Sequence, residues 1–258
     1  GPSKIPIIAI PTTAGTGSES TKYATLYINK IKYSIEDESI IPKAIIIDPV
    51  LIKTNSTYTM LSAGLDALSQ SIESYWSVNS NKESKKYALD AMKMIWNILP
   101  KIISKKISSI EMKNLSWAAH LSGKAINISK TTASHAISYY LTSNYGIAHG
   151  HAVAITLGYV FKLNLEVSVE NLNEKRGFEY SINNLHEICK VLKIEMKNVN
   201  ESFESYLKKL KLKTRLREFG IDKKDLEIIA NNINTARIKN NPRKLSNNDI
   251  LHILEAIY

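Results

Sequence analysis

The chain has 258 residues, 44% hydrophobic and 22% charged, the composition of a folded protein with one large domain or two modest ones. No apolar run approaches the roughly 20 residues that span a bilayer, and the N-terminal stretch GPSKIPIIAIP lacks the apolar core and cleavage site of a secretory leader. A net charge of +10 does not by itself indicate nucleic acid, since the lysines of KIISKKISS and SYLKKLKLKTRLREFG alternate with apolar residues as on solvated helix faces.

In chain order, GPS reads as a remnant of tag cleavage. IPIIAIP and KAIIIDP are short β-branched runs ended by proline and predict buried strands. Between them lie the Gly/Thr/Ser loop TTAGTGSEST and two alternating stretches, KYATLYI and IKYSIE, that read as a half-exposed hairpin. After about Asn55 the strand signals stop and helical periodicity runs almost to the end. TYTMLSAGLDALSQSIESYWS opens on a threonine cap signal, followed by KESKKYALDAMKMIWNILPKII, SIEMKNLSWAAHLSGKAI and GHAVAITLGYVFKLNLEV. YSINNLHEICKVLKI, NESFESYLKKLKLKTRLREFG, DKKDLEIIANNIN and SNNDILHILEAIY complete the helical set. The single cysteine, Cys189, excludes an internal disulfide, reads as a small buried helical residue and fits a reducing cytoplasm. The expected fold is therefore mainly α: a small α/β piece over residues 1–55, then an all-helical domain over 56–258. Lone strands such as PIIAIP want neighbours, and nothing upstream of Ile5 supplies them, so a truncated sheet domain is expected.

Two clusters could carry chemistry. Asp66 and Gln70 stand four apart in an otherwise apolar helical stretch and project from one face; the plainer alternative is an exposed helix position. His135 and His149 stand fourteen apart with the turn signal SNYG between them. His135 is expected near the end of one segment and His149 at the start of the next, where they can converge. With a carboxylate from another helix they would form a three-ligand Asp/His/His metal site that leaves positions open. His151 is an alternative to His149, and purely structural histidines remain the other reading. His120, His186 and His252 read as structural.

IPTTAGTGSE, GLDALSQSIESYWS and HAISYYLTSNYGIAHGHAVAI together resemble the iron-containing (group III) alcohol dehydrogenase family. GKAINISKTTASHAISYYLT, with NNPR near the C-terminus, is similar to its phosphonoacetaldehyde reductase (hydroxyethylphosphonate dehydrogenase) branch. The resemblance implies an α/β dinucleotide-binding domain, here only a C-terminal remnant, followed by an all-helical metal domain. It implies a divalent metal, iron ahead of zinc, and NAD(P)H in the cleft between them. Asp66, His135 and His149 fall on metal-ligand positions; Gln70 stands where the family has a further histidine ligand, and Tyr139 where many relatives have an active-site histidine. Thr12, Thr13 and Thr16 would contact the cofactor, with Thr25, Lys32 and Leu51 toward the nicotinamide end. The implied reaction interconverts an aldehyde and a primary alcohol, phosphonoacetaldehyde and 2-hydroxyethylphosphonate in the intact enzyme. Lys124, Lys130, Arg237 and Arg243 are candidates to clamp the phosphonate. The family's Gly-Gly-Gly-Ser pyrophosphate turn is absent, so little NAD(P)H-dependent activity is expected of this chain alone. The small-molecule aldehyde or alcohol is the expected partner, with no nucleic acid and no membrane; a homodimer stays open. The alternatives are a dehydrogenase for a neutral alcohol or polyol, and a non-catalytic metal-binding fragment.

Overall fold

The computed structural model describes residues 5–28, 31–234 and 236–258, the side chains of 27, 28 and 31–34 excepted. Two short strands, β1 (Ile8–Ala9) and β4 (Ala44–Ile45), pair in parallel. Between them β2 (Tyr23–Ile28) and β3 (Ile31–Glu36) form an antiparallel hairpin running from Tyr23 opposite Glu36 to Ile28 opposite Ile31. The hairpin lies where the alternation placed it. The strands expected to be buried are not: Ile7, Ile8, Ile10 and Ile46 all stand exposed, because among the described residues no second layer covers the parallel pair.

The rest of the described chain is mainly helical: α1 (Thr57–Trp76), α2 (Lys82–Ile103), α3 (Ser109–Ser129), α4 (Ala133–Tyr145), α5 (His149–Leu165), α6 (Phe178–Leu192), α7 (Val199–Lys209), α8 (Leu226–Asn231) and α9 (Asn247–Ala256). The C-terminal segments are shorter than their periodicity suggested. NESFESYLKKLKLKTRLREFG breaks after Lys209, where Lys211 takes a positive φ of 56°.

α1 is the axis of the fold. It packs on α2, α3, α5 and α6, and from Leu61 to Trp76 all but Ala63 are buried. A helix surrounded in this way must be apolar or internally satisfied all round. Gly64, Ala67, Ser69, Ser71 and Ser74 let neighbours approach closely, and the Ser71 hydroxyl is absorbed by the Ala67 carbonyl at 2.8 Å. Its cap is Ser56, whose side chain accepts from the Thr59 amide, rather than the threonine that the sequence suggested. α2 is amphipathic: Ala88, Ala91, Met92, Ile95, Leu99 and Ile102 make one buried stripe, started by an Asn81–Ser84 capping box.

The glycine-rich loop before β2 is held against α3 by two glycines. A Cβ on Gly123 would lie 2.2 Å from the Gly17 carbonyl oxygen, and Gly17 itself has φ +59°. Only glycines allow this backbone contact, which fixes Thr16 and Ser18 beside α1 and α3.

Candidate metal centre

Asp66 lies mid-way along the buried α1, His135 in the first turn of α4, and His149 begins α5. His135 thus starts its helix, instead of ending a segment as expected; SNYG is divided between the last turn of α4 and a left-handed cap at Gly146, φ 66°. One ligand atom from each of Asp66, His135 and His149 lies within 4.8 Å of the others. Asp66 Oδ1 stands 3.2 Å from His135 Nε2 and 3.7 Å from His149 Nε2. The close pairing of α5 with α1 depends on Gly150, whose Cβ would stand 1.9 Å from the Ser62 carbonyl oxygen and 2.7 Å from the Asp66 amide nitrogen. Gly150→Ala is expected to cost about 1–3 kcal/mol through overpacking and to move His149 away from Asp66. Thermal unfolding and a metal titration check this; an unchanged Tm with unchanged affinity is the contrary result.

The residue behind the trio is Glu73, fully buried and seven positions after Asp66. Its carboxylate accepts from His135 Nδ1, from the Thr132 amide at 3.2 Å and hydroxyl at 2.7 Å, and from the Ser134 amide at 2.7 Å. Its bond to His135 Nδ1 turns Nε2 toward Asp66, the arrangement that orients metal-binding imidazoles. Ser138 does the same for His149. Its hydroxyl donates to the His135 carbonyl at 2.8 Å, so the His149 Nδ1 facing it at 3.3 Å is the donor and Nε2 keeps its lone pair. One carboxylate oxygen and two imidazole nitrogens oriented in this way fit a divalent cation.

Burial pulls the His135 pKa down, but the charge of Glu73 and hydrogen bonds to Asp66 and Glu73 outweigh it and raise the pKa to about 9. Asp66 and Glu73 move the other way: burial pushes both up, and the neighbouring histidines bring both below their usual value. The metal-free centre therefore holds a proton on His135 between two carboxylates. Tyr139 stacks parallel on His149, ring centroids 5.5 Å apart. Burial raises its pKa against the opposing charge of Arg237, so its hydroxyl stays protonated.

The trio opens into a cavity of about 460 Å³ whose walls include Thr16, Thr25, Gln70, Lys130, Tyr139, Thr142 and Arg237. Lys130 reaches it from an uncommon backbone, φ 63° and ψ 170°, a region that usually requires glycine. The segment is held there from several sides: Lys130 N–H bonds the Ile126 carbonyl, Asn240 donates to the Thr131 carbonyl, and Glu73 takes the Thr132 amide. Lys130 Nζ pairs with Glu36 at 2.8 Å, and the Arg237 guanidinium lies 5.3 Å from the Tyr23 ring centre.

The other sequence candidates lie elsewhere. Lys124 stands over the Tyr87 ring at 4.3 Å, because its position on α3 faces α2. Arg243 bonds the Leu163 carbonyl and Asp249, both at 2.9 Å, and ties the C-terminal helix to α5. Neither lines the cavity. Thr12, Thr13 and Leu51 are exposed and outside its wall; the Lys32 side chain lies outside the described residues. His151 points away from the trio. Its Nε2 donates to the Lys213 carbonyl at 2.8 Å and its Nδ1 accepts from Tyr58 at 3.1 Å. His120 bonds Ser20 at 2.6 Å and buttresses the glycine-rich loop. Sequence reasoning missed Glu73, Thr132, Ser138 and Thr142. Glu73 alone left a signal: besides Asp66 it is the one charged residue of α1, in step with Asp66 and Gln70.

Comparison with known proteins accords with this architecture. Residues 60–258 match the family model "Fe-containing alcohol dehydrogenase family, C-terminal", and residues 1–49 match "Iron-containing alcohol dehydrogenase". A phosphonoacetaldehyde reductase of Streptomyces viridochromogenes is 35% identical over 178 residues, 68% of this chain and 45% of that protein. An NAD-dependent methanol dehydrogenase of Bacillus methanolicus is 28% identical over 97% of this chain and 66% of its own length. The crystal structure of a sulfoacetaldehyde reductase from Bifidobacterium kashiwanohense in complex with NAD+ superposes with a TM-score of 0.86 at 25% identity, over all of this chain and 66% of that one. The chain thus spans about half to two thirds of the relatives it matches. No described helix is long and apolar enough to cross a membrane. With its helical architecture and family-model match over most of its length, the chain belongs to the iron-containing alcohol dehydrogenase family.

Proposed function

We propose that this chain carries the metal and substrate site of an NAD(P)H-dependent reductase that converts a small aldehyde with an anionic head, phosphonoacetaldehyde or a close analogue, into the primary alcohol. In this reading residues 1–55 belong to the dinucleotide-binding unit and 56–258 to the metal unit. The observation that carries it is one cavity shared by Asp66, His135 and His149 with two cations, Lys130 and Arg237. A divalent metal, iron ahead of zinc, would when bound supply Lewis acidity at the carbonyl oxygen, and a nicotinamide would supply the hydride. The chain's own residues do the rest. Asp66, His135 and His149 would hold the metal, with Glu73 orienting one imidazole and Ser138 the other. Lys130 and Arg237 bind the phosphonate oxygens. Thr142, whose buried hydroxyl has no hydrogen-bond partner, offers a polar contact to substrate, and Thr16 and Thr25 face the cofactor side. Tyr139 keeps its proton and holds the His149 ring in place.

The test is a substrate panel in a protein with the complete dinucleotide-binding unit. Lys130→Met and Arg237→Met are each expected to raise KM for phosphonoacetaldehyde by about tenfold or more, the loss of a charge-assisted contact. KM for a neutral aldehyde such as propanal should stay within about twofold, and Lys124→Met should alter neither. Equal effects on both aldehydes would favour a neutral-alcohol dehydrogenase instead.

A further inference from the structure

Gln70 is buried at 4% exposure, one turn beyond Asp66 on α1. Its side-chain nitrogen donates to Asp66 Oδ2 at 3.3 Å and to the Thr16 carbonyl at 3.2 Å, and its oxygen accepts the Ser122 hydroxyl at 2.9 Å. The surroundings dictate this orientation of the amide. Turned over, it would set an oxygen against two acceptor oxygens, the carboxylate and the carbonyl, neither of which carries a proton to offer. The amide oxygen is thereby directed at α3, and the face turned to Asp66 is a donor. Asp66 in turn divides its two oxygens: Oδ1 faces the histidines and Oδ2 is occupied by the amide. Thr16 belongs to the loop held on α3 by the Gly17–Gly123 contact, and it lines the same cavity as the trio.

We propose that Gln70 is a positioning residue and not a metal ligand: it couples the metal-facing carboxylate to the main chain of the Thr16 loop. Asp66, His135 and His149 are then the whole protein donor set, with Asp66 bound through one oxygen. A cation on Asp66 Oδ1 fixes the carboxylate, and through the Gln70 amide it fixes the loop that faces the cofactor. The proposal rests on the metal reading of the site, so the experiment separates the two.

Co2+ is titrated into the wild-type chain, His135→Ala and Gln70→Met. The visible ligand-field bands are recorded, and amide hydrogen exchange is followed across residues 15–19 with and without the metal. The wild type is expected to bind one Co2+ with visible bands and to slow exchange in the loop by about fivefold or more, the scale of a coupling between two sites. His135→Ala should shift or abolish the bands. Gln70→Met should keep the wild-type band positions, while its loop responds to Co2+ by less than about twofold. Shifted bands in Gln70→Met would make Gln70 a ligand, and an unchanged loop response would remove the coupling; either result overturns the proposal. Absence of bands in the wild type overturns the metal reading and the proposal with it. Where methionine is not accommodated, Gln70→Ala gives the same readouts, because Ser122 can still donate to the Ala119 carbonyl at 2.8 Å.

Discussion

Glu73→Ala is expected to destabilise the protein by about 3–5 kcal/mol, the cost of removing one partner from a buried, hydrogen-bonded charge cluster. In a chain of this size that is a fall in Tm of roughly 6–20 °C. The loss is large because one carboxylate serves four donors: His135 Nδ1, the Thr132 amide and hydroxyl, and the Ser134 amide. Bulk solvent does not reach that position, since Glu73 has no exposed surface. The damage also spreads outward. The Trp76 indole donates to the Thr132 hydroxyl at 2.9 Å, and the strained Lys130 backbone is held through the same segment. Glu73→Gln keeps one acceptor oxygen and is expected to lose about half as much. Calorimetry on the metal-free proteins measures both. A change in Glu73→Ala below about 1 kcal/mol would mean that the segment finds other acceptors.

Asp66→Asn is expected to weaken binding of a divalent metal by more than about 100-fold, beyond what losing an outer hydrogen-bond partner costs. The substitution keeps the shape of the side chain and removes the charge. Asp66 is the only carboxylate in the trio, and it is buried at 3% exposure. Isothermal titration with Co2+ or Zn2+ gives the affinity; a loss of less than about tenfold would place the cation elsewhere. The pH dependence of the wild type supplies a second check. With its pKa raised to about 9, metal-free His135 is protonated at neutral pH, whereas a metal ligand must be the free imidazole. Affinity should therefore climb as pH rises and level off near 9. The sign for stability is opposite. A histidine whose pKa is higher folded than unfolded stabilises the metal-free fold at low pH, and that contribution disappears as pH rises through about 9.

Much of the local structure could be read directly. The stretch KESKKYALDAMKMIWNILPKII coincides with α2, because a capping residue and a strict apolar stripe set its limits without help from the rest of the chain. The hairpin of β2 and β3 was legible for the same reason: alternation is a local property. Asp66, His135 and His149 could be named from residue type, spacing and family resemblance, and the fold brings the three together.

Burial and direction were not legible. Two identical β-branched runs differ in exposure only by what lies over them, and here Ile8 and Ile46 stand in the open. Lys124 and Lys130 are equivalent as sequence, two lysines six apart before the same histidine. One lies along a tyrosine ring on α2, and the other, itself the positive-φ residue that follows α3, lines the cavity. His149 and His151 are neighbours in the chain, yet the helix turns one toward Asp66 and the other toward Lys213. The sequence by itself determined the helices, the hairpin and the residue types able to bind a cation, because periodicity, caps and side-chain chemistry act over a few residues. Only the tertiary structure decided which histidine and which lysine face the site, and that Glu73 stands behind it. Those outcomes depend on contacts between α1, α3, α4 and α5, residues separated by about sixty positions in the chain, such as Glu73 and His135.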